Sequence, residues 1–396
     1  MKDAYIVAIH RSAVTKAGKG GFANYRPDTL LADLIKKMVD QYPGIRDQID
    51  DVVVGCAMQE GPQGVNVARV ANLLAGLPNT TPGVTVNRLC SSGLQAIAYA
   101  AERIQMGLSE IVLAGGVESM SMIPFTPERF SFNPELFDGQ HDEDLGIAYG
   151  MGLTAEVVAK KYAISREAQD AYALQSHERA CAAIKKGDFK AEICGIKVPH
   201  RKPNLETGKP DVKMVLVDQD EGPRPDTNLE VLAKLPTAFA KDGTVTAGNS
   251  SQISDGAGVA LVVSEKMLKA LNLKPMARFC GFAVTGVAPE EMGIGPITAI
   301  PKVLKQAGLK MADMDWIELN EAFAAQTLAV IRTLKLDQAK VNPCGGAIAL
   351  GHPLGATGVL RTATLLHGLK RTKGHYGMTT MCIGVGMGAA GIFESL

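Results

Sequence analysis

The sequence predicts an α/β protein made of two duplicated halves with a third segment inserted between them. Two stretches that recur at one offset carry this expectation, together with the irregular region that separates the copies. Near the start, "LLADLIKKMVDQYPGIRDQIDDVVVGCA" reads as helix, loop and buried strand. "AIPKVLKQAGLKMADMDWIELNEA" repeats that order, with Asp315 falling 264 residues after Asp51. Farther on, "SSGLQAIAYAAERIQMGLSEIVLAGGVES" matches "ATGVLRTATLLHGLKRTKGHYGMTTMCIGVG", with Gly358 falling 265 residues after Gly93. Independent stretches sharing one offset signal an internal repeat. Within each copy, short apolar runs such as "EIVLAGGV" alternate with amphipathic helical patterns, which implies mainly parallel strands covered by helices.

In chain order, "MKDAYIVAIHRSAVTK" is an early strand whose apolar core is too short for a signal sequence. The first half is expected over residues 1–120, completed by 248–270. Residues 121–247 break the pattern. There "MIPFTPERFSFNPELFDGQHDEDLG" is rich in Pro, Phe and acidic residues. "TAEVVAKKYAISREAQDAYALQSHERACAAIKKGDF" reads as a long helical stretch, and "HRKPNLETGKPDVKMVLVDQDEGPRPDT" is polar and Pro-rich. A long irregular insertion is either a substrate-binding excursion or a solvated decoration, and pattern alone leaves both open. The second half is expected over residues 271–396.

Basic and acidic residues balance at 41 each, so charge points to neither nucleic acid nor an anionic membrane surface as partner. The apolar runs are too short and too interrupted to span a bilayer. Seven scattered cysteines, without CxxC or zinc-ligand spacing, argue against a disulfide framework and a structural metal. The ending "GIFESL" is no peroxisomal address, and a cytoplasmic protein is expected.

The chemistry gathers at four places. "VNRLCSSGLQAI" sets Cys90 at the start of a helix, where orphan N–H groups and the helix dipole favour thiolate. By itself the motif also suits a buried, unreactive thiol, the commoner case for a free cysteine. In the second half, "ELNEAFA" puts Asn320 and Glu321 at a strand end. "NPCGGAIALGHPLGATG" holds His352, and "TTMCIGVGMGAAG" breaks into alternating glycines after Cys382. All four belong at the carboxyl ends of strands, where open parallel sheets bind ligands. Read singly, Asn320 could cap the next helix, His352 could be a satisfied buried histidine, and Cys382 could be core. Read together, they supply a thiolate, an imidazole to take its proton and a second acid/base group. The glycines would leave N–H groups free for an oxyanion. Neither glycine cluster makes a P-loop, and "GVGMGA" is followed by no βαβ unit.

"NRLCSSGLQAI", "NEAFA", "GGAIALGHPLGATG" and "CIGVGMG" resemble the signature segments of the thiolase family. "RPDTNLEVLAKLPTAF" and "GTVTAGNSSQISDGAG" fit as well, so the resemblance covers nearly the whole chain. It implies a five-layered α/β/α/β/α fold of two duplicated halves, with a loop domain carrying coenzyme A as a substrate and no bound cofactor or metal. It implies Cys90 as the acylated nucleophile, His352 as its activator and Cys382 as the group that gives or takes the α-proton. Asn320 would hold a water that, with His352, binds the thioester oxygen. The N–H groups of Cys90 and Gly384 would form a second oxyanion hole. Arg224 and Thr227 would meet the nucleotide end of coenzyme A, and Ser251 the pantetheine. Met151, Phe239, Met292 and Phe323 would line its apolar channel.

Short-chain biosynthetic thiolases carry a histidine just before the "MG" of the loop helix, where "YGMGLTAE" has Gly150. That wording resembles the β-oxidation members, so 3-ketoacyl-CoA thiolysis is expected over acetoacetyl-CoA synthesis. A ketoacyl synthase would lack the second cysteine. A silent acyl-CoA-binding scaffold would be free to lose any member of the set. The resemblance also implies a homodimer or homotetramer, in some members joined by a hydratase/dehydrogenase subunit, with no nucleic acid and no stable membrane insertion.

Overall fold

A computed structural model describes residues 2–124, 133–136 and 150–396. The chain begins β1 (Ala4–Arg11), β2 (Thr15–Lys16), α1 (Pro27–Gln41), β3 (Asp51–Gly55), α2 (Val67–Leu74), β4 (Val84–Val86), α3 (Ser92–Gln105) and β5 (Ile111–Ser119). An excursion follows, with α4 (Met151–Lys161), α5 (Arg166–Lys186), the hairpin β6 (Ile196–Pro203) and β7 (Pro210–Val217), and α6 (Leu229–Ala233). The chain then returns through β8 (Ser254–Ser264) and α7 (Glu265–Ala270). The second copy runs β9 (Ala277–Gly286), α8 (Gly295–Ala307), β10 (Met314–Leu319), α9 (Ala324–Leu334), α10 (Ala347–Leu350), α11 (Thr357–Thr372), β11 (Tyr376–Ile383) and β12 (Met387–Ser395).

The duplication shows in the strand order, β10-β11-β12-β9-β1-β8-β5-β3-β4. Read outward from the β1–β9 seam, each copy places equivalent strands in the same sequence. The seam joins only Tyr5 with Arg278 and Ile6 with Ala277, so two half-sheets meet there. Three apolar cores separate five layers. One lies under α1 and α2, with Leu30, Leu34, Ile35 and Met38 of α1 recurring at helical spacing against Val52, Val54, Leu113 and Leu261. A second surrounds α3 and α11, both buried almost throughout between the half-sheets. The third holds α8 and α9 against β10, β11 and β12.

Glycine lets the two central helices touch. A Cβ at Gly358 would come 2.1 Å from Leu94 N, and one at Gly93 would come 2.8 Å from Gly355 O.

Three expectations need correction. The pairings are not mainly parallel: β3–β4, β3–β5 and β10–β11 are, whereas β8 and β12 run antiparallel to both neighbours. The cause is local in β12, which follows β11 through the turn Gly384–Gly386 and so must reverse direction. The single long helical stretch is two helices. Ala163 adopts a left-handed φ of 51°, and the Ser165 hydroxyl caps α5 by accepting from Ala168 N–H at 3.3 Å. The polar, Pro-rich stretch forms the exposed hairpin β6–β7, its hydrogen-bonded pairing unannounced by side-chain pattern. Most of "MIPFTPERFSFNPELFDGQHDEDLG" lies outside the described residues. Among those described, no helix is long and apolar enough to cross a membrane.

Candidate active site

Cys90 occupies the middle of a single 3-10 turn, Leu89–Ser91, that runs directly into α3. The approach is held tightly. Asn87 Oδ1 accepts from Leu89 N–H at 2.8 Å, Ser92 Oγ accepts from Arg88 N–H at 2.8 Å, and Ser92 Oγ–H donates to Leu89 O at 2.7 Å. Leu89 is left-handed at φ 45°, and so is Val385 at φ 62° in the β11–β12 turn. Two non-glycine residues in that sparsely populated region flank the site, a mark of backbone shaped for function.

Gly384 opens that turn, and the backbone N–H groups of Gly384 and of Cys90 itself favour the thiolate form of Cys90. These donors oppose burial, and burial wins: the Cys90 thiol is pushed up to about 11. The helix N-terminus therefore does not leave a resting thiolate, contrary to the sequence expectation. Desolvation of the sulfur outweighs the dipole. Cys382, fully buried near the end of β11, lies close enough for the two thiols to interact. Burial and then Cys90 push its thiol well above the usual range.

His352 follows α10 in the loop leading to the Leu354–Ala356 turn, the second copy's equivalent of the Cys90 turn. Its Nδ1 is 2.6 Å from Thr357 Oγ1 and its Nε2 is 3.4 Å from Asn320 Nδ2. An amide nitrogen only donates, so Nε2 is the accepting nitrogen and the proton rests on Nδ1. Burial, then the Arg361 charge, lower His352 to about 4, keeping the ring neutral. Asn320 caps no helix; α9 begins after Phe323 with no side-chain cap. Its N–H donates to Thr380 O at 2.9 Å, and its Oδ1 is buried without a partner among the described residues.

Two buried carboxylates position these loops. Glu118 accepts from Ala57 N–H, Gln63 Nε2–H and Gly355 N–H at 2.8, 2.7 and 2.9 Å, tying the second copy's turn to the first copy's strand end. Glu321 accepts from Ser176 Oγ–H at 2.7 Å, Asn342 Nδ2–H at 2.8 Å and Tyr172 Oη–H at 3.0 Å, clamping α5 onto the Asn320 loop. The sequence reading assigned neither a role. Strand-end carboxylates beside glycine-rich loops were the available signal.

Of the apolar residues singled out for coenzyme A, Met151, Met292 and Phe323 share one small cluster with Cys382. Phe239 is 45% exposed, and its ring meets that of Phe323 edge-on at 6.0 Å, so it sits at the outer end of that cluster. Ser251 joins the cluster's rim through its N–H, which donates to Ala322 O at 2.8 Å. Arg224 and Thr227 lie apart, on an exposed loop where Arg224 N–H donates to His177 Nδ1 at 3.2 Å.

The family model for the thiolase N-terminal domain matches residues 4–266, and that for the thiolase C-terminal domain matches residues 273–395. A 3-ketoacyl-CoA thiolase of Bacillus subtilis is 50% identical over the full length of both chains. Among solved structures, the acetyl-CoA acetyltransferase of Bacillus anthracis superposes with a TM-score of 0.89 at 40% identity, covering 100% of this chain and 99% of that one. Human mitochondrial 3-ketoacyl-CoA thiolase superposes with a TM-score of 0.87, also at 40% identity, with the same coverage.

Proposed function

The chain belongs to the thiolase family, an acyltransferase enzyme family, and from that premise we propose that it is a 3-ketoacyl-CoA thiolase of fatty acid β-oxidation. It cleaves a 3-ketoacyl-CoA with coenzyme A to acetyl-CoA and a shortened acyl-CoA. One observation carries the reading: two thiols from different halves lie close enough to influence each other's ionisation, one favoured toward thiolate by backbone N–H groups and the other walled by apolar side chains.

In this mechanism His352 removes the Cys90 proton as the sulfur attacks the ketone carbon, since a thiol raised to about 11 is not ionised beforehand. The N–H groups of Cys90 and Gly384, which favour negative charge on the sulfur, would receive the oxygen of the acyl-cysteine. Carbon–carbon cleavage leaves an enolate whose oxygen is held from the side of His352 and Asn320, and Cys382 gives it a proton. Coenzyme A enters past Phe239 and Met151, with Arg224 and Thr227 at its nucleotide end and Ser251 along the pantetheine. It releases the acyl group from Cys90. The inserted segment, residues 121–247, is thereby read as the coenzyme A-binding part. Gly150, in place of a histidine, supports degradation of longer substrates over acetoacetyl-CoA synthesis.

β4 ends the sheet, and Val84 on it, with Val65, Leu73 and Leu74 beside it, is an exposed apolar edge that a second copy would cover. Seven free thiols suit a reducing compartment, and the cytoplasm is proposed on that ground. Thiolysis rates on 3-ketoacyl-CoA chains of increasing length test the reading. Turnover restricted to acetoacetyl-CoA would replace it with the biosynthetic acetyl-CoA acetyltransferase activity.

A further inference from the structure

Gln326 lies in the first turn of α9, fully buried, and no motif of the sequence singles it out. One end of its carboxamide is 3.1 Å from Cys382 Sγ and 3.2 Å from Asn320 O. The other end is 2.7 Å from Thr327 N and 2.9 Å from Thr327 Oγ1. Chemistry decides which end is nitrogen. An oxygen beside Thr327 accepts its backbone N–H, and a nitrogen at the far end donates to the Asn320 carbonyl. The reverse would set the amide nitrogen against Thr327 N–H and the amide oxygen against the Asn320 carbonyl, keeping only Thr327 Oγ1 and the Cys382 thiol as partners. The amide N–H₂ therefore faces the Cys382 sulfur.

We propose that Gln326 is a positioning residue for the carbon–carbon bond step, donating an N–H to Cys382 Sγ so that the thiolate can exist in an apolar pocket. Among the described residues, the backbone of Cys382 itself also favours the ionised sulfur, and the pocket is otherwise apolar. Its walls are Met151 and Ala155 of α4, Val245, Met292, and Ala322 with Phe323, all uncharged. Cys90 is the titratable group that acts on Cys382, and as a neighbouring thiol it disfavours a second negative charge. His352 reaches the same corner through Asn320 and is neutral. Burial, and then Cys90, raise the thiol well above its ordinary value, so a donor aimed at the sulfur opposes the burial that limits the base. The same amide holds the Asn320 main chain, which keeps the water-binding side chain and the base in fixed relation.

This inference rests on Cys382 being the α-proton base, and the experiment separates the two. Exchange of acetyl-CoA α-protons with deuterated solvent is measured for wild type, C382A, Gln326→Leu and Gln326→Glu, alongside acylation of Cys90 by acyl-CoA. A hydrogen bond to a charged partner is typically worth roughly one to two powers of ten. Gln326→Leu is therefore expected to lose about ten- to hundredfold in exchange while acylating Cys90 within about twofold of wild type. Gln326→Glu supplies an O–H donor only while protonated, so its exchange relative to wild type falls as pH rises. Unchanged exchange in Gln326→Leu would overturn the proposal. So would exchange and acylation falling together, or a Gln326→Glu deficit that is the same at every pH. If C382A itself exchanges at the wild-type rate, the reading of Cys382 fails first.

Discussion

The two copies place Cys90 and Gly355 at the centre of matching turns, Leu89–Ser91 ahead of α3 and Leu354–Ala356 ahead of α11. The backbone design is shared; the tasks are opposite. In the first copy the turn presents a thiol whose ionised form the Gly384 backbone favours. In the second it presents nothing, because a Cβ at Gly355 would lie 2.6 Å from Ala57 N and 2.7 Å from Cys56 Cα. Three residues upstream the exchange runs the other way. Asn87 holds loops through Ala57 O and Leu89 N–H, whereas its counterpart His352 is the neutral base candidate. At the strand ends, Val117 and Glu118 of β5 answer to Cys382 and Ile383 of β11. The duplication thus supplies equivalent strand-end positions, and the side chains there divide into chemistry in one copy and support in the other.

The largest effect is expected where the copies differ most. Cys90→Ser should lower thiolysis on the order of 10⁴-fold or more with folding intact, because a hydroxyl needs far stronger activation. Mass spectrometry of the wild type mixed with acyl-CoA should find the acyl group on the Cys90 peptide. An adduct on another cysteine would break the assignment of nucleophile to the first copy.

Cys382→Ala should cost ~10²–10⁴-fold in turnover, the usual weight of a general acid/base. Iodoacetamide should still alkylate Cys90 in this variant at near the wild-type rate. Parallel loss of both reactions would mean that Cys382 serves packing, as Val117 does in the first copy.

Gly358→Ala probes the support role. Its new Cβ meets the α3 backbone, which cannot swing aside as a flexible side chain would. Overpacking of this kind destabilises by about 1–3 kcal/mol, read as a lowered urea midpoint at unchanged slope. A midpoint equal to wild type would show that the central helices have slack.

The smallest effect concerns pH. His352 is held near 4 against an ordinary 6.5, so between those values the unfolded chain takes up the proton and the folded chain does not. Stability present above pH 6.5 is therefore lost as pH falls toward 4. His177, also near 4 through burial and then Arg224, adds to the same slope. His352→Asn, which installs the first copy's residue, should flatten part of that decline in urea titrations at pH 6.5, 5.5 and 4.5. An unaltered slope would argue that the ring is not buried neutral.

The repeat was legible because offset and periodicity are properties of the chain: Asp51 with Asp315 and Gly93 with Gly358 mark β3, β10 and the two central helices. The place of Cys90 at the start of a helix was legible for a similar reason, since a turn followed by small residues and a helix is local. What sequence could not supply was long-range. Antiparallel β8 pairs with β1 after an insertion of more than a hundred residues, and no local pattern encodes that return. The split of the long helical stretch turns on Ala163 and the Ser165 cap, a competition between neighbouring backbone states that apolar spacing does not register.

By itself the sequence determined the α/β class, the duplication and the four loops that hold Cys90, Asn320, His352 and Cys382, because each follows from neighbours along the chain. Only the tertiary structure decided the charge state of those groups. Burial from both halves raises Cys90 to about 11 where the helix end alone would lower it, and brings His352 to about 4. It also put Gln326 against Cys382 across 56 residues of chain. Desolvation and hydrogen-bond orientation depend on everything that surrounds an atom, and Cys382 is walled by α4, by Val245 of the inserted segment and by distant parts of its own half.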